Sequence, residues 1–155
     1  MSPEITVLLT AMIPLTDVKV AIPLGIKLGL SSTTSFLFAV TGNIIPAALT
    51  LALIGPVTDF LCKHSKFCNK FFTNLFNKTR KEHSKKFQRY GAIFLVTFVA
   101  LPIPGSGSAA GALIAFLFGI NFWKALPLIS LGIVLASAFI TAGFTSIFAI
   151  MDLLA

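Results

Sequence analysis

The sequence predicts an all-α integral membrane protein. Two re-entrant helical hairpins and two full transmembrane helices form an inverted repeat, with a basic amphipathic interfacial helix between the halves. Three observations carry that expectation. The 155 residues are 56% hydrophobic and only 11% charged, with a mean hydropathy of +0.95, where a soluble domain carries roughly 25% charged residues. Nine of the 12 Lys and Arg fall between Lys63 and Arg89, the others being Lys19, Lys27 and Lys124. Long uncharged stretches flank that block on both sides.

Residues 1–30 are expected to form the first hairpin. Pro14, Asp17, Lys19, Pro23, Gly25 and Lys27 interrupt an otherwise apolar run. A straight helix would hold Asp17 and Lys19 near mid-bilayer, at about 2.5–3.5 kcal/mol each on insertion scales. It would also lose a backbone hydrogen bond at each proline. A segment that dips in and returns avoids both, provided its irregular tip is buried in protein or lines a wet cavity. The opening MSPEITVLLTAMIP has an acid and no base before its apolar stretch, unlike a cleavable signal peptide, so it is expected to be retained.

Residues 31–56 hold the first span. Within them 36–55, FLFAVTGNIIPAALTLALIG, is a 20-residue uncharged stretch, enough to cross about 30 Å of hydrocarbon. Residues 57–90 are the basic segment. Phe60, Phe67, Phe71, Phe72, Leu75 and Phe76 share a helical stripe, with Lys63, Lys66, Lys70, Lys78, Arg80 and Lys81 elsewhere. Such a helix lies in the inner interface with its lysines toward anionic headgroups; a plain surface linker helix is the alternative. The positive-inside rule makes this loop cytoplasmic. Nucleic-acid binding would want base-reading residues on an independent fold. Cys62 and Cys68 point to different faces and stay reduced in the cytoplasm. With His64 and His83 they match no zinc spacing, so no metal is expected. Asn77-Lys78-Thr79 is a glycosylation sequon by letters only, because the loop faces the cytoplasm.

Residues 91–120 form the second hairpin. No Asp, Glu, Lys, Arg or His lies between Arg89 and Lys124, yet Pro102-Ile103-Pro104-Gly105 breaks the run. The limbs 91–101 and 106–120 would rise only about 17 and 23 Å, and neither crosses alone. A kinked full span is the alternative. Residues 124–150 hold the second span, with 26 uncharged residues from 125 to 150. Both termini are then outside and Lys124 is inside. Opposed hairpins of broken helices are an architecture of secondary transporters. Ile22-Pro23-Leu24-Gly25 echoes Ile103-Pro104-Gly105-Ser106, and Gly25/Gly29 echoes Gly107/Gly111.

Asp17 is the sharpest candidate for chemistry. An intramembrane carboxylate needs a partner, water or an ion. Burial favours its protonated form and a nearby cation its charged form, so it suits proton or cation exchange. Lys19 and Arg89 are candidate partners, and a purely structural pair is the alternative. Asn43 could bond the freed backbone of a hairpin tip or touch a ligand. Pro14, Pro23, Gly25, Pro102, Pro104, Gly105, Ser106, Gly107 and Ser108 are assigned to the tips. Ser106 and Ser108 open a half-helix whose free amides could meet an anion. Gly107, Gly111, Ala115 and Gly119 make one smooth packing face. LPIPGSGSAAG is not read as a nucleotide loop, since that needs a strand before it and an acid after it. His64 and His83 stand away from every intramembrane serine, so neither an enzyme nor a cofactor is expected.

Pro14-Leu-Thr-Asp17-Val-Lys19-Val-Ala-Ile-Pro23-Leu-Gly25 resembles the P-x-x-E-x-R-x-A-x-P-x-G opening of the small multidrug export protein family. Gly42-Asn43 and Arg89-Tyr-Gly91 recur in place, and Pro102-Ile-Pro104-Gly105-Ser-Gly107 resembles its PLPGTG motif. That family is in turn similar to the DedA (SNARE-associated, VTT) membrane proteins. The resemblance covers essentially the whole chain. It implies facing re-entrant hairpins and export or lipid-carrier translocation, with Asp17 in the family's Glu position and Lys19 in its Arg position. Lys lacks the bidentate fork of Arg. The expected protein is therefore a cell-membrane transporter, homodimeric and in contact with membrane lipids. The competing class is a non-transporting membrane scaffold whose charges are structural.

Overall fold

The computed structural model describes residues 2–13, 16–65, 70, 73–74, 85–101 and 107–154. Regular structure among them is helical: α1 (Pro3–Met12), α2 (Asp17–Lys27), α3 (Ser32–His64), α4 (Lys85–Ala100), α5 (Ser108–Leu117) and α6 (Phe122–Leu154). Each half therefore has two short helices followed by a long one. Pro3 starts α1, where its missing N–H removes no helical bond, and Glu4 faces the positive helix end. The helix stops at Ile13, whose N–H turns back to the Thr10 carbonyl at 3.3 Å. The Thr16 hydroxyl closes the bend by donating to the same carbonyl at 2.5 Å.

α2 and α5 end alike. The amides of Leu28, Gly29 and Leu30 donate to the carbonyls of Leu24, Ile26 and Gly25 at 2.9, 3.0 and 3.0 Å. Ninety residues on, Phe118, Gly119 and Ile120 donate to Ile114, Phe116 and Ala115 at 2.9, 3.0 and 2.9 Å. Gly29 and Gly119 sit at φ +88° and +66°, the left-handed stop that glycine adopts without strain.

Burial recurs at the same spacing. Asp17, Val18, Ala21, Ile22 and Gly25 are buried, and so are Gly107, Ser108, Gly111, Ala112 and Ala115. Ser35, Ala39, Gly42, Asn43 and Ala47 of α3 answer to Ala125, Ile129, Gly132, Ile133 and Ser137 of α6. Val7 and Ala11 answer to Leu95 and Val99, 88 residues on, so the second bend is two residues longer. In this register Gly29 corresponds to Gly119 and Gly25 to Ala115. The glycine echo of the sequence, which set Gly25 and Gly29 against Gly107 and Gly111, is eight residues out. Buried positions and the terminating turn set the register, and similar letters do not.

Within each half the two short helices pack on one another. α1 lies on α3 and α4 on α6, while α2 and α5 each touch both long helices, which also touch one another. The contacts are close. A Cβ on Gly42 would stand 2.5 Å from the Leu8 carbonyl oxygen, and one on Gly132 would stand 2.7 Å from Val99 Cβ. Small residues fill much of the core, Ala11, Ala21, Ala39, Ala47, Ala112 and Ala125 among them. The two ends of segment 91–120 meet: a Cβ on Gly91 would lie 2.9 Å from the Phe118 ring.

Among the described residues, α3 and α6 are the two helices long and apolar enough to cross a membrane, with mean hydropathies of 2.0 and 2.1. Only 22% and 39% of their most apolar windows are buried. Leu37, Leu49, Leu53, Leu131 and Phe139 are at least half exposed. An apolar surface of that extent suits hydrocarbon.

Some boundaries differ from expectation. α3 does not stop near residue 56 but continues through Pro56 to His64, and α4 begins at Lys85. Thirty-three residues reach about 50 Å, so α3 outruns the hydrocarbon. Of the expected amphipathic stripe only Phe60 is described; it is exposed and stacks on His64 at 4.5 Å. Phe67, Phe71, Phe72, Leu75 and Phe76 lie outside the described residues, as do Cys68, Asn77 and His83. Pro23 does not break the chain but sits inside α2, as Pro46 and Pro56 do in α3 and Pro127 in α6. Membrane helices tolerate proline where neighbours or ordered water re-satisfy the freed carbonyl.

Replacing Gly42 by Ala forces α1 and α3 apart and lowers unfolding stability by about 1–3 kcal/mol. Gly143, with nothing within 4 Å of an added Cβ, should accept Ala at no loss. Thermal melts in detergent compare the two; equal losses would remove the close-contact account.

Candidate functional site

Asp17 begins α2 where the chain leaves the 13–16 bend. Its φ is +52°, the positive φ found at a non-glycine residue among the described residues. Asp visits this region more readily than most residues because its short side chain bonds nearby backbone. The carboxylate accepts the Val18 N–H at 2.7 Å and is buried, with the residue 6% exposed. The positive end of α2 also favours an anion there. Lys19 Nζ stands 3.8 Å from Asp17 Oδ2. Residues two apart do not face each other along a helix, so this pair depends on the distorted first turn.

Asn43 lies on the buried face of α3 and is 1% exposed. Its Oδ1 accepts a hydrogen bond from the hydroxyl of Ser108, the first residue of α5. The second bend is thereby pinned to the middle of α3 by a buried polar contact. The corresponding positions of the other half, Val18 and Ile133, are apolar and buried. Asn43 Nδ2, Ser35 Oγ, Ser137 Oγ and Thr141 Oγ1 are buried and make no hydrogen bond among the described residues. They put uncommitted donors and acceptors into an otherwise apolar interior.

Arg89 is not brought to Asp17, whose ion pair among the described residues is with Lys19. It is exposed near the start of α4, in a cleft shared with Gly119, Asn121 and Lys124. The two charged candidates thus separate into different regions. Gly25, expected at a tip, lies inside α2, where a Cβ would meet Ser35 Oγ at 2.5 Å. Gly107 caps α5 and Ser108 opens it. Pro14, Pro102, Pro104, Gly105 and Ser106 lie outside the described residues. Of the expected packing face, Gly107, Gly111 and Ala115 are buried, whereas Gly119 is exposed and ends the helix. Reading by charge alone passed over Ser35, Ser137, Thr141 and Asn121, and gave Lys124 only a topological role. The spacing of Ser137 and Thr141 on one helix face was the signal for that pair.

Two apolar helices with lipid-suited surfaces, and a buried carboxylate between short bent helices, define an α-helical membrane protein. The family model described as "Putative small multi-drug export protein" matches residues 17–139. The chain belongs to that family. The match begins at Asp17 and takes in Lys19, Asn43, Arg89 and Ser108. No curated protein and no solved structure matches the chain.

Removing the Ser108 hydroxyl leaves Asn43 buried without its partner, at a cost of roughly 0.6–2 kcal/mol. In a double-mutant cycle on thermal stability, Ser108→Ala and Asn43→Leu together should lose less than the sum of the single losses. Strict additivity would show that the contact carries no coupling energy.

Proposed function

We propose that this protein is a secondary transporter of the cell membrane, coupling substrate movement to a proton or cation bound at Asp17. The observation that carries the reading is a buried carboxylate at a helix bend, held by one backbone amide and one lysine. A carboxylate kept inside an apolar protein is retained where charge movement needs it. When a proton or cation neutralises Asp17, its attraction to the Lys19 ammonium ends. Loss of that attraction loosens the start of α2 and favours opening of the first bend toward water. Deprotonation restores the pair and recloses it.

The recurrence of buried positions between the halves supports an inverted repeat, and the meeting of Gly91 with Phe118 supports a re-entrant second hairpin over a kinked span. Two hairpins entering from opposite faces permit alternating access by rocking one half against the other. The basic loop is then cytoplasmic and both termini are outside. Two spans enclose little, so the working unit is a homodimer. The substrate is a small organic molecule, in line with the family's description, or a lipid. The Asp17–Lys19 pair, kept permanently ionised, would equally serve a scaffold that transports nothing.

The two readings part in proteoliposomes under an imposed pH gradient, assayed with ethidium and with a fluorescently labelled phospholipid. Asp17→Asn should abolish the gradient-dependent movement, and Asp17→Glu should keep it. Movement unaffected by Asp17→Asn would sink the coupling role, and no movement by the unmutated protein would favour the scaffold. Thiols placed at Tyr90 and Asn121, after removal of Cys62 and Cys68, should be labelled from one side. Labelling from opposite sides would restore a full span.

A further inference from the structure

The turn that ends α5 has a counterpart at the end of α2, and the two differ in chemistry. After Gly29 the chain continues through Ser31 and Thr34, which satisfy each other. The Ser31 hydroxyl accepts the Thr34 N–H at 3.1 Å and lies 2.8 Å from the Thr34 hydroxyl. After Gly119 the same positions are Asn121 and Lys124. The Lys124 and Ala125 amides donate to the backbone carbonyl of Asn121 at 2.9 and 2.8 Å. The Asn121 side-chain amide and the Lys124 ammonium are committed to nothing among the described residues. Arg89, from the start of α4, faces the same space without an acid partner among those residues. Together with Ala92, Gly119, Ile120 and Leu128 these side chains line a cleft of about 300 Å³.

The depth of the cleft is marked independently. Tyr90 and Trp123 are the chain's one tyrosine and one tryptophan. They adjoin Arg89 and Lys124 and are 70% and 82% exposed. Amphipathic rings of this kind collect at the headgroup level of a bilayer. Two cations, one amide and the positive end of the 33-residue α6 therefore converge at the depth where lipid phosphates lie.

We propose that the Arg89–Asn121–Lys124 cleft binds the phosphate of an anionic phospholipid. The Arg89 guanidinium offers a planar fork to two phosphate oxygens, and Lys124 supplies a point charge. Asn121 donates through its amide, while Ala92, Ile120 and Leu128 face the start of the acyl region. A lipid so held ties the beginning of α4 to the beginning of α6, across the mouth of the second helix pair. The site requires a bilayer and is independent of any coupling at Asp17.

Trp123 is a built-in reporter, because no other tryptophan contributes to the fluorescence. The full-length protein is reconstituted into vesicles containing either brominated phosphatidylglycerol or brominated phosphatidylcholine, and quenching is compared at equal mole fraction. The unmutated protein should prefer the anionic lipid, and Arg89→Gln with Lys124→Gln should remove the preference, about fivefold for each charge lost. Lys27→Gln should retain it, and so should Arg89→Lys with Lys124→Arg, which keeps both charges should the neutral variant fail to fold. Equal quenching by the two lipids, or a preference that survives the double Gln substitution, overturns the site. In phosphatidylcholine vesicles, a Trp123 response to inorganic phosphate beyond that to chloride at equal ionic strength overturns the lipid as the source.

Discussion

In hydrocarbon a helix gains little by hiding its leucines from the surroundings, so association rests on how closely backbones approach. That constraint organises the protein. Gly42 lets α1 sit with its Leu8 carbonyl against α3, and Gly132 lets α4 sit equivalently against α6. Many large apolar side chains are turned outward, as Leu37, Leu49, Leu131 and Phe139 are. The interior mixes alanine, glycine and serine with a few buried aliphatic side chains such as Ile22, Leu95, Ile129 and Ile133. Short helices that cannot cross the bilayer alone are held beside long ones that can.

The two halves share this scaffold and differ in what they mount on it. At the first bend the buried group is the charged Asp17, with Lys19 beside it. At the second, Ser108 reaches the neutral Asn43 of the opposite long helix. One bend carries an ion pair; the other carries a neutral hydrogen bond that ties the start of α5 to α3. The same division recurs at the far turns, where Ser31 and Thr34 satisfy each other but Asn121 and Lys124 do not.

Much of the fold was legible because it depends on quantities that local sequence records. Uncharged runs of 20 and 26 residues located α3 and α6, and breaks at Asp17 and after residue 101 located the bends. Asp17 and Asn43 stood out as polar letters in apolar text, and both are buried. Other features resisted reading. Proline reads as a break at Pro23, but a helix packed on three neighbours carries it. On charge alone Arg89 is a candidate partner for Asp17, yet it lies at the other end of its helix pair, beside Lys124.

By itself the sequence determined the class of protein, the order of short and long helices, and the residues whose burial needs a reason. Hydropathy and charge act through composition over a window, which a linear text preserves. Only the tertiary structure decided which polar groups meet: Ser108 with Asn43 across 65 residues, and Arg89 with Lys124 across a cleft. It also decided the register between the halves, with Gly29 answering to Gly119. Those pairings depend on where backbones touch, and contact distance is set by the packed whole.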